Sequence, residues 1–177
     1  SGTTGASKGV MIAQAQAYRY AAGAAMCYDM VAEDVIYTAG LPLFHIAGQW
    51  AVCYAALIHG ATIVLRKGYR NEHFWSDIAE HGCTGTLLLG AIANFLWQQP
   101  RSPGDARTPL EKVVMGPVMA EHEAFAERFG VQVSTAYAST EDPVPCVQFL
   151  GEPYPTNQCV GYPLPDFEVR IFDELDR

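Results

Sequence analysis

The sequence is poor in charge and contains no cluster of basic residues. Only 17% of its 177 residues are charged, and 11 Lys and Arg against 19 Asp and Glu give a net charge of −8. Nucleic-acid binders need a concentrated positive surface, so this balance excludes general binding of DNA or RNA. No apolar stretch reaches the roughly 18 residues that a membrane-spanning helix requires. We therefore expect a cytoplasmic protein without a transmembrane segment.

Cysteine is scattered rather than clustered. The five cysteines form no CxxC pair, and they are Cys27, Cys53, Cys83, Cys146 and Cys159. An odd number at wide spacing argues against a disulfide framework and against a zinc site. The pattern instead predicts reduced thiols, most of them buried.

What the sequence does contain is an alternation of apolar helical and strand patterns, with 50% hydrophobic residues. Helices are predicted over 10–28, 48–58, 71–81, 91–97 and 120–129, and strands over 35–38, 61–65, 84–89, 112–115, 131–135 and 167–172. Recurrent prolines exclude long helices after Ser139. The order predicts an α/β fold, a mostly parallel sheet flanked by helices. Ligands of such sheets bind beyond the carboxyl ends of the strands.

The opening nine residues, SGTTGASKG, have the composition of a phosphate-binding loop. Their glycines allow the backbone to approach a phosphate closely, and the hydroxyl and lysine side chains supply donors and a positive charge. The helix predicted next would direct its positive amino end toward the loop. The run does not match the Walker A pattern. A flexible Gly/Ser/Thr linker is the alternative interpretation.

This run resembles the signature loop SGTTGxPKG of the adenylate-forming enzymes, the superfamily of acyl-CoA synthetases, luciferases and peptide-synthetase adenylation domains. Ser7 stands where proline is usual. The resemblance implies that the loop binds the phosphates of ATP, that Lys8 is catalytic and that Thr3 helps to hold Mg²⁺. The nucleotide-binding residues implied in the loop are Ser1, Gly2, Thr3, Thr4, Gly5 and Lys8.

Two further segments resemble the walls of the family's acyl pocket. Residues 41–48, LPLFHIAG, are similar to the motif P-x-F-H-x-x-G, in which His45 would gate the pocket. A lone histidine at a helix start more often serves as a capping or packing residue, and the surrounding motif is what favours the pocket role for His45. Residues 113–118, VVMGPV, are similar to the turn that contributes Gly116 and Pro117 to the pocket wall. The small and medium apolar residues near these positions and over 91–95 favour an alkyl or aryl acid.

Residues 135–141, TAYASTE, resemble the family motif Y-G-x-T-E. The resemblance implies that Tyr137 flanks the adenine, that Thr140 contacts the α-phosphate and that Glu141 holds Mg²⁺, the last two being catalytic. The segment's other implied nucleotide-binding residues are Thr135, Ala136, Ala138 and Ser139. Ala138 replaces the usual glycine, and a positive φ there would cost about 1 kcal/mol. By itself the motif is equally compatible with a surface turn. Residues 159–165, CVGYPLP, resemble a fourth motif that only shapes a turn.

The four segments occur in the family's order, so the resemblance covers nearly the whole chain. It implies ATP-dependent activation of a carboxylic acid, followed by thioester formation with CoA, with carnitine/crotonobetaine-type and fatty-acyl ligases as the most similar members. Residues 1–177 would then be a central part of the AMP-binding domain. The family's ribose-binding Asp and its catalytic Lys, which lies on a C-terminal domain, are not in the sequence, so we expect this chain alone to be inactive. A homodimer and a non-catalytic nucleotide-binding or scaffolding module remain open alternatives.

Overall fold

A seven-stranded sheet runs through the protein in a computed structural model that describes residues 5, 9–154 and 159–175. Its strands are β1 (Val35–Tyr37), β2 (Thr62–Val64), β3 (Gly85–Leu89), β4 (Lys112–Gly116), β5 (Gln132–Tyr137), β6 (Cys146–Gln148) and β7 (Tyr162–Pro163). The order across the sheet is β2-β1-β3-β4-β5-β6-β7. The first five strands are parallel, and β6 and β7 continue the sheet antiparallel. The predicted mostly parallel α/β sheet is confirmed.

The helices connect the parallel strands and cover both faces of the sheet. They are α1 (Gln14–Tyr28), α2 (Ala55–His59), α3 (Phe74–His81), α4 (Gly90–Trp97) and α5 (His122–Phe129). A π-helical segment, Ala47–Tyr54, leads directly into α2, and a 3-10 turn, Asn71–His73, leads into α3. The helices α2, α3 and α5 each end at a glycine in the left-handed conformation, which satisfies their last carbonyl groups.

Two separate apolar cores lie on the two sides of the sheet. One joins α1 and the π-helical segment to the sheet, with Tyr28 and Val52 fully buried in it. The other joins α3, α4 and α5 to the opposite face around Phe74, Leu96 and Phe125. All five cysteines are free thiols, and three of them are buried, as their spacing predicts. Among the described residues, no helix is both long and apolar enough to cross a membrane.

The prediction for the last part of the chain was wrong in one respect. Residues 167–172 do not form a strand. Phe167 packs against the core on the α1 side, but Val169, Ile171 and Phe172 stay exposed, Ile171 at 96%. An alternating pattern becomes a strand only when its backbone pairs with a neighbour, and the sheet instead takes β6 and β7 as its last members. These two short strands lie in the proline-rich region that sequence patterns left without assignment.

The amino ends of three of the parallel strands, β1, β3 and β4, are joined by one buried carboxylate, that of Asp34. Lys112 at the start of β4 donates through Nζ to both carboxylate oxygens, at 3.0 and 2.8 Å, and to the carbonyl oxygen of Asp29 after α1, at 3.0 Å. The hydroxyl of Thr84, just before β3, donates to Asp34 at 2.8 Å and accepts from the backbone amide of Val35 at 3.1 Å. Four elements therefore meet at one charged group.

Burial by itself would raise the pKa of Asp34. Hydrogen bonds from Lys112, from the Val31 amide and from Thr84, together with the charge of Lys112, outweigh burial and lower this pKa below its usual value of 3.8. A carboxylate whose folded-state pKa is depressed stabilises the fold above its unfolded-state pKa, and this contribution is lost as the pH falls through the folded-state pKa.

Replacing Asp34 by Asn should therefore destabilise the protein most at neutral pH. We expect a loss of about 3 kcal/mol in the free energy of unfolding at neutral pH, because Lys112 is left without its counter-charge. The difference from the wild type should shrink in acid, where the wild-type carboxylate is protonated. Urea unfolding over a pH series measures both values. Glu33→Gln, which alters the neighbouring exposed carboxylate, is the control and should change the free energy of unfolding by less than about 0.5 kcal/mol. A loss of stability in Asp34→Asn that does not depend on pH would contradict the stabilising role of the Asp34 carboxylate.

A second prediction concerns Gly161, which lies against β6. Its φ is +92°, and an added Cβ would lie 1.9 Å from the carbonyl carbon of Val147. Gly151 also has a positive φ, +75°, but no heavy atom lies within 4 Å of an added Cβ. Gly151→Ala should therefore lower the free energy of unfolding by only about 1 kcal/mol, the cost of placing an alanine at positive φ. Gly161→Ala should lower it by about 3 kcal/mol or more, because the added Cβ also collides with β6. Equal shifts of the two urea midpoints would show that Gly161 does not make the close approach to β6.

Candidate functional site

A cavity of about 530 Å³ opens where the parallel strands end. Its floor is formed by the last residues of three neighbouring strands, Leu89 of β3, Gly116 of β4 and Tyr137 of β5. One face of α1 and the beginning of the π-helical segment form the walls. The volume is in the range of small-molecule sites, and the position is where ligands of open parallel sheets bind.

Residues from separate sequence motifs meet in this cavity. His45 from the first pocket motif, Gly116 and Pro117 from the second, and Thr135, Ala136, Tyr137 and Ala138 from the third all line it. These residues are distant in sequence, and the parallel register brings them to the same edge of the sheet. Residues 91–95, which were expected near the pocket, are not among its lining residues.

Part of the predicted nucleotide site lies outside the described residues. This holds for Ser1, Gly2, Thr3, Thr4 and Lys8 of the glycine-rich run, and for Ser7 in the usual proline position. Gly5 is described and exposed. The roles of these residues therefore stay predictions.

Thr135 connects the ends of two strands. Its hydroxyl group is buried and donates to the carbonyl oxygen of Met115 at 2.7 Å. The bond fixes the end of β5 beside the turn that carries Gly116 and Pro117, whose peptide bond is cis. Because this hydroxyl proton is already used, Thr135 shapes the cavity through its position rather than by donating to a ligand.

Ala138 has an ordinary backbone conformation. It is not among the non-glycine residues with positive φ. The cost of about 1 kcal/mol that a positive φ would impose on an alanine therefore does not arise. Its side chain is partly buried and packs against the core on the α1 side of the sheet. The replacement of the usual glycine therefore costs the fold nothing at this point.

The Ser139–Glu141 turn directly follows the cavity residues. The hydroxyl oxygen of Ser139 accepts hydrogen bonds from the backbone amides of Glu141 at 3.2 Å and Asp142 at 3.1 Å. From α1, the side-chain amide of Gln16 donates to the carbonyl oxygen of Glu141 at 2.7 Å. The backbone of the turn is held from two sides, while the carboxylate of Glu141 is exposed. Thr140 is partly buried, and neither it nor Ser139 or Glu141 lines the cavity itself.

His45 performs the capping role and also lines the cavity. Its Nδ1 accepts the backbone amide hydrogen of Ala47 at 3.1 Å, which satisfies one free donor at the start of the π-helical segment. The two interpretations that the sequence left open for this residue are thus compatible.

The cavity walls carry no fixed charge among the described residues. No Asp, Glu, Lys or Arg lines it, and most of its lining side chains are apolar. Burial raises the pKa of the Cys27 thiol to about 12. The pKa of Tyr20 is also raised to about 12, mainly by burial and to a smaller extent by the nearby Cys27. Both groups are therefore neutral at physiological pH.

Sequence reasoning missed the walls contributed by α1 and the π-helical segment. Tyr20, Ala24 and Cys27 line the cavity from α1, and Ala51 does so from the segment opposite. Their spacing of three to four residues places the α1 residues on one helix face. Because α1 is apolar on nearly every side, this spacing could not show which face would border a cavity.

A group of possible metal ligands lies away from the cavity. Asp77, Glu80 and His81 have ligand atoms within 4.8 Å of one another. However, Asp77 accepts hydrogen bonds from Tyr37 at 2.7 Å and from Arg66 Nε at 2.9 Å. Since the Arg66 guanidinium already neutralises this carboxylate, the group serves as an ion pair that fixes α3 to the sheet.

The chain belongs to the AMP-binding enzyme family, whose sequence pattern matches residues 1–177. It is 38% identical to long-chain fatty acid transport protein 1 of Homo sapiens over 143 residues. This aligned stretch covers 80% of this chain and 22% of the relative. Over the same length it is 35% identical to crotonobetaine/carnitine–CoA ligase of Shigella dysenteriae, covering 28% of that protein. The chain thus spans about a quarter of the length of these relatives.

The fold matches a solved structure of the same kind. O-succinylbenzoate coenzyme A synthetase from Bacillus subtilis, in complex with ATP and magnesium ion, superimposes with a TM-score of 0.75 at 24% identity, over 98% of this chain and 36% of that one. The chain therefore has the fold of the N-terminal domain of adenylate-forming enzymes, as its motifs predicted.

Gln16→Ala tests how α1 holds the Ser139–Glu141 turn. Losing the bond to the Glu141 carbonyl should cost about 1 kcal/mol locally. The backbone amides of Glu141 and Asp142 should then exchange with deuterium about fivefold faster. Gln14→Ala, two residues earlier on the same helix, is the control for the change in helix propensity and should leave these amides unchanged. Equal exchange in both variants would show that the contact does not stabilise the turn.

Proposed function

We propose that the full-length protein activates a carboxylic acid with ATP to an acyl-adenylate and then transfers the acyl group to CoA. The convergence of His45, the Gly116–Pro117 turn and residues 135–138 on one cavity carries this proposal. Membership of the AMP-binding enzyme family and the fold shared with a CoA synthetase support it. The apolar lining favours an alkyl or aryl acid.

The residues present fit the two substrates that the first step needs. Tyr137 is 49% exposed at the edge of the cavity and offers an aromatic face to adenine. Thr140 follows it in the turn and is assigned to the α-phosphate. The exposed carboxylate of Glu141, with Thr3, would hold Mg²⁺, which prefers oxygen ligands and neutralises phosphate charge. The loop residues 1–5 and Lys8 are assigned to the phosphates.

The chemistry requires positioning more than a protein nucleophile. A carboxylate oxygen of the acid forms a bond to the α-phosphorus while the bond from this phosphorus to the bridging oxygen of pyrophosphate breaks. In the second step the CoA thiolate forms a bond to the acyl carbon, and AMP leaves with the bonding electrons. The side chains assigned here act by orienting the acid and by balancing phosphate charge.

The finer assignments remain part of this proposal. They include the fatty-acyl or carnitine-type substrate class, a cytoplasmic location and a homodimer. A non-catalytic nucleotide-binding or scaffolding module is the alternative. The replacement of the family's usual glycine by Ala138 does not favour this alternative, because Ala138 has no positive φ.

Lys8→Ala and Glu141→Ala test the assignment in the full-length protein. Each should lower acid-dependent exchange of pyrophosphate into ATP by about 100-fold or more, because a group that stabilises developing charge is removed. Thermal unfolding should change little, since Glu141 is exposed. Glu127→Ala, an exposed residue on α5, is the control and should retain full exchange.

Unchanged exchange in both variants would refute the assigned roles. Nucleotide binding without any exchange in the wild-type protein would favour the scaffolding alternative. The 177-residue chain alone is expected to bind without turnover, because the family's catalytic Lys lies on another domain.

A further inference from the structure

Among the described residues, the cavity lining offers no charge to a ligand. Its walls come from α1, the π-helical segment and the sheet, with side chains such as Ala24, Ala51, Leu87 and Val114. None of the described lining residues is Asp, Glu, Lys or Arg. A second charge on a bound acid would therefore lose its hydration without gaining a counter-charge.

Tyr20 and Cys27, two of the polar side chains of the walls, do not change this balance. Tyr20 is 5% exposed and packs edge-on against Trp50 at 5.7 Å, and Cys27 is 1% exposed. The Cys27 thiol is already directed to a backbone carbonyl of its own helix, that of Gly23, at 3.5 Å. Neither side chain can serve as a fixed counter-ion for a ligand.

The space between α1 and the π-helical segment exists because two alanines face it. Ala24 and Ala51 are 5% and 6% exposed, and both line the cavity. Larger residues flank them along each helix, Tyr20 and Tyr28 on α1 and Trp50 and Val52 on the opposite segment. A leucine at either alanine would carry three more carbon atoms toward the space that the ligand body would occupy.

On the basis of the proposed function, we infer that the substrate is an acid whose only charge is the reacting carboxylate, and that Ala24 and Ala51 set the size of its uncharged body. The inference concerns specificity within the same site. Of the two substrate classes in the proposed function, it selects the fatty-acyl acids over the carnitine-type acids, whose quaternary ammonium group is a second charge. It also excludes dicarboxylic and sulfonated acids as good substrates.

A matched series of acids tests the charge rule by direct binding. The 177-residue chain is titrated calorimetrically with octanoate, with its dicarboxylate analogue suberate and with its ω-amino analogue. We expect octanoate to bind at least about tenfold more tightly than either analogue, which corresponds to about 1.4 kcal/mol. Binding of all three with similar affinity, or of none, would overturn the inference.

Leucine substitutions test the size rule. Ala24→Leu and Ala51→Leu should weaken octanoate binding about tenfold while leaving butyrate binding within about twofold. Ala22→Leu makes the same change on the same helix at a partly exposed position that does not line the cavity, and it should leave both acids unaffected. Circular dichroism of each variant checks folding. An unchanged ratio of octanoate to butyrate affinity in folded Ala24→Leu and Ala51→Leu would overturn the size rule.

Pyrophosphate exchange in the full-length protein separates this inference from the proposed function. Exchange supported by octanoate and not by suberate is expected. Equal exchange with both acids would overturn the charge rule and leave the proposed function standing. Selective binding of octanoate without exchange by any acid would overturn the proposed function and leave the charge rule standing.

Discussion

The buried ion pair between Asp34 and Lys112 is the contact on which the arrangement of the parallel strands depends. It joins the start of β4, the residues before β1 and β3, and the end of α1. A buried carboxylate accepts several strong hydrogen bonds and tolerates few geometries, so it fixes these elements relative to one another. The cavity lies at the opposite ends of β3, β4 and β5, and the network joins the first two of these strands at their amino ends.

The helix α1 connects the two parts of the candidate nucleotide site. It follows the glycine-rich run in sequence, and through Gln16 it contacts the backbone of Glu141. Its other contacts bury Tyr28 and Ala21 completely against the sheet and the π-helical segment. A helix held this firmly fixes the backbone of the Ser139–Glu141 turn relative to the sheet. Such preorganisation is what phosphate chemistry without a protein nucleophile requires.

The cavity also shows why one fold can serve different acids. Its sheet side is set by strand register, which the whole family shares as a fold. Its helix side depends on individual residues such as Ala24 and Ala51, whose size changes the available volume without changing the sheet. An uncharged lining stabilises an apolar ligand body, and any second charge pays a desolvation cost. In the proposed function, the helix side of the cavity is therefore the part that selects the acid.

The sequence by itself determined the alternation of helices and strands, because hydrophobic periodicity and glycine stops are local properties. Short motifs also singled out His45, Gly116, Pro117 and residues 135–138, which the fold brings together around the cavity. The roles assigned to them and to residues 139–141 stay predictions. Only the tertiary structure decided which face of the uniformly apolar α1 borders the cavity, because that choice depends on packing between distant elements. It likewise decided that β6 and β7 extend the sheet while residues 167–172 do not, because strand pairing is a long-range contact. The ordinary backbone of Ala138 belongs to the same group, since the φ angle is set by the surrounding fold rather than by the residue type.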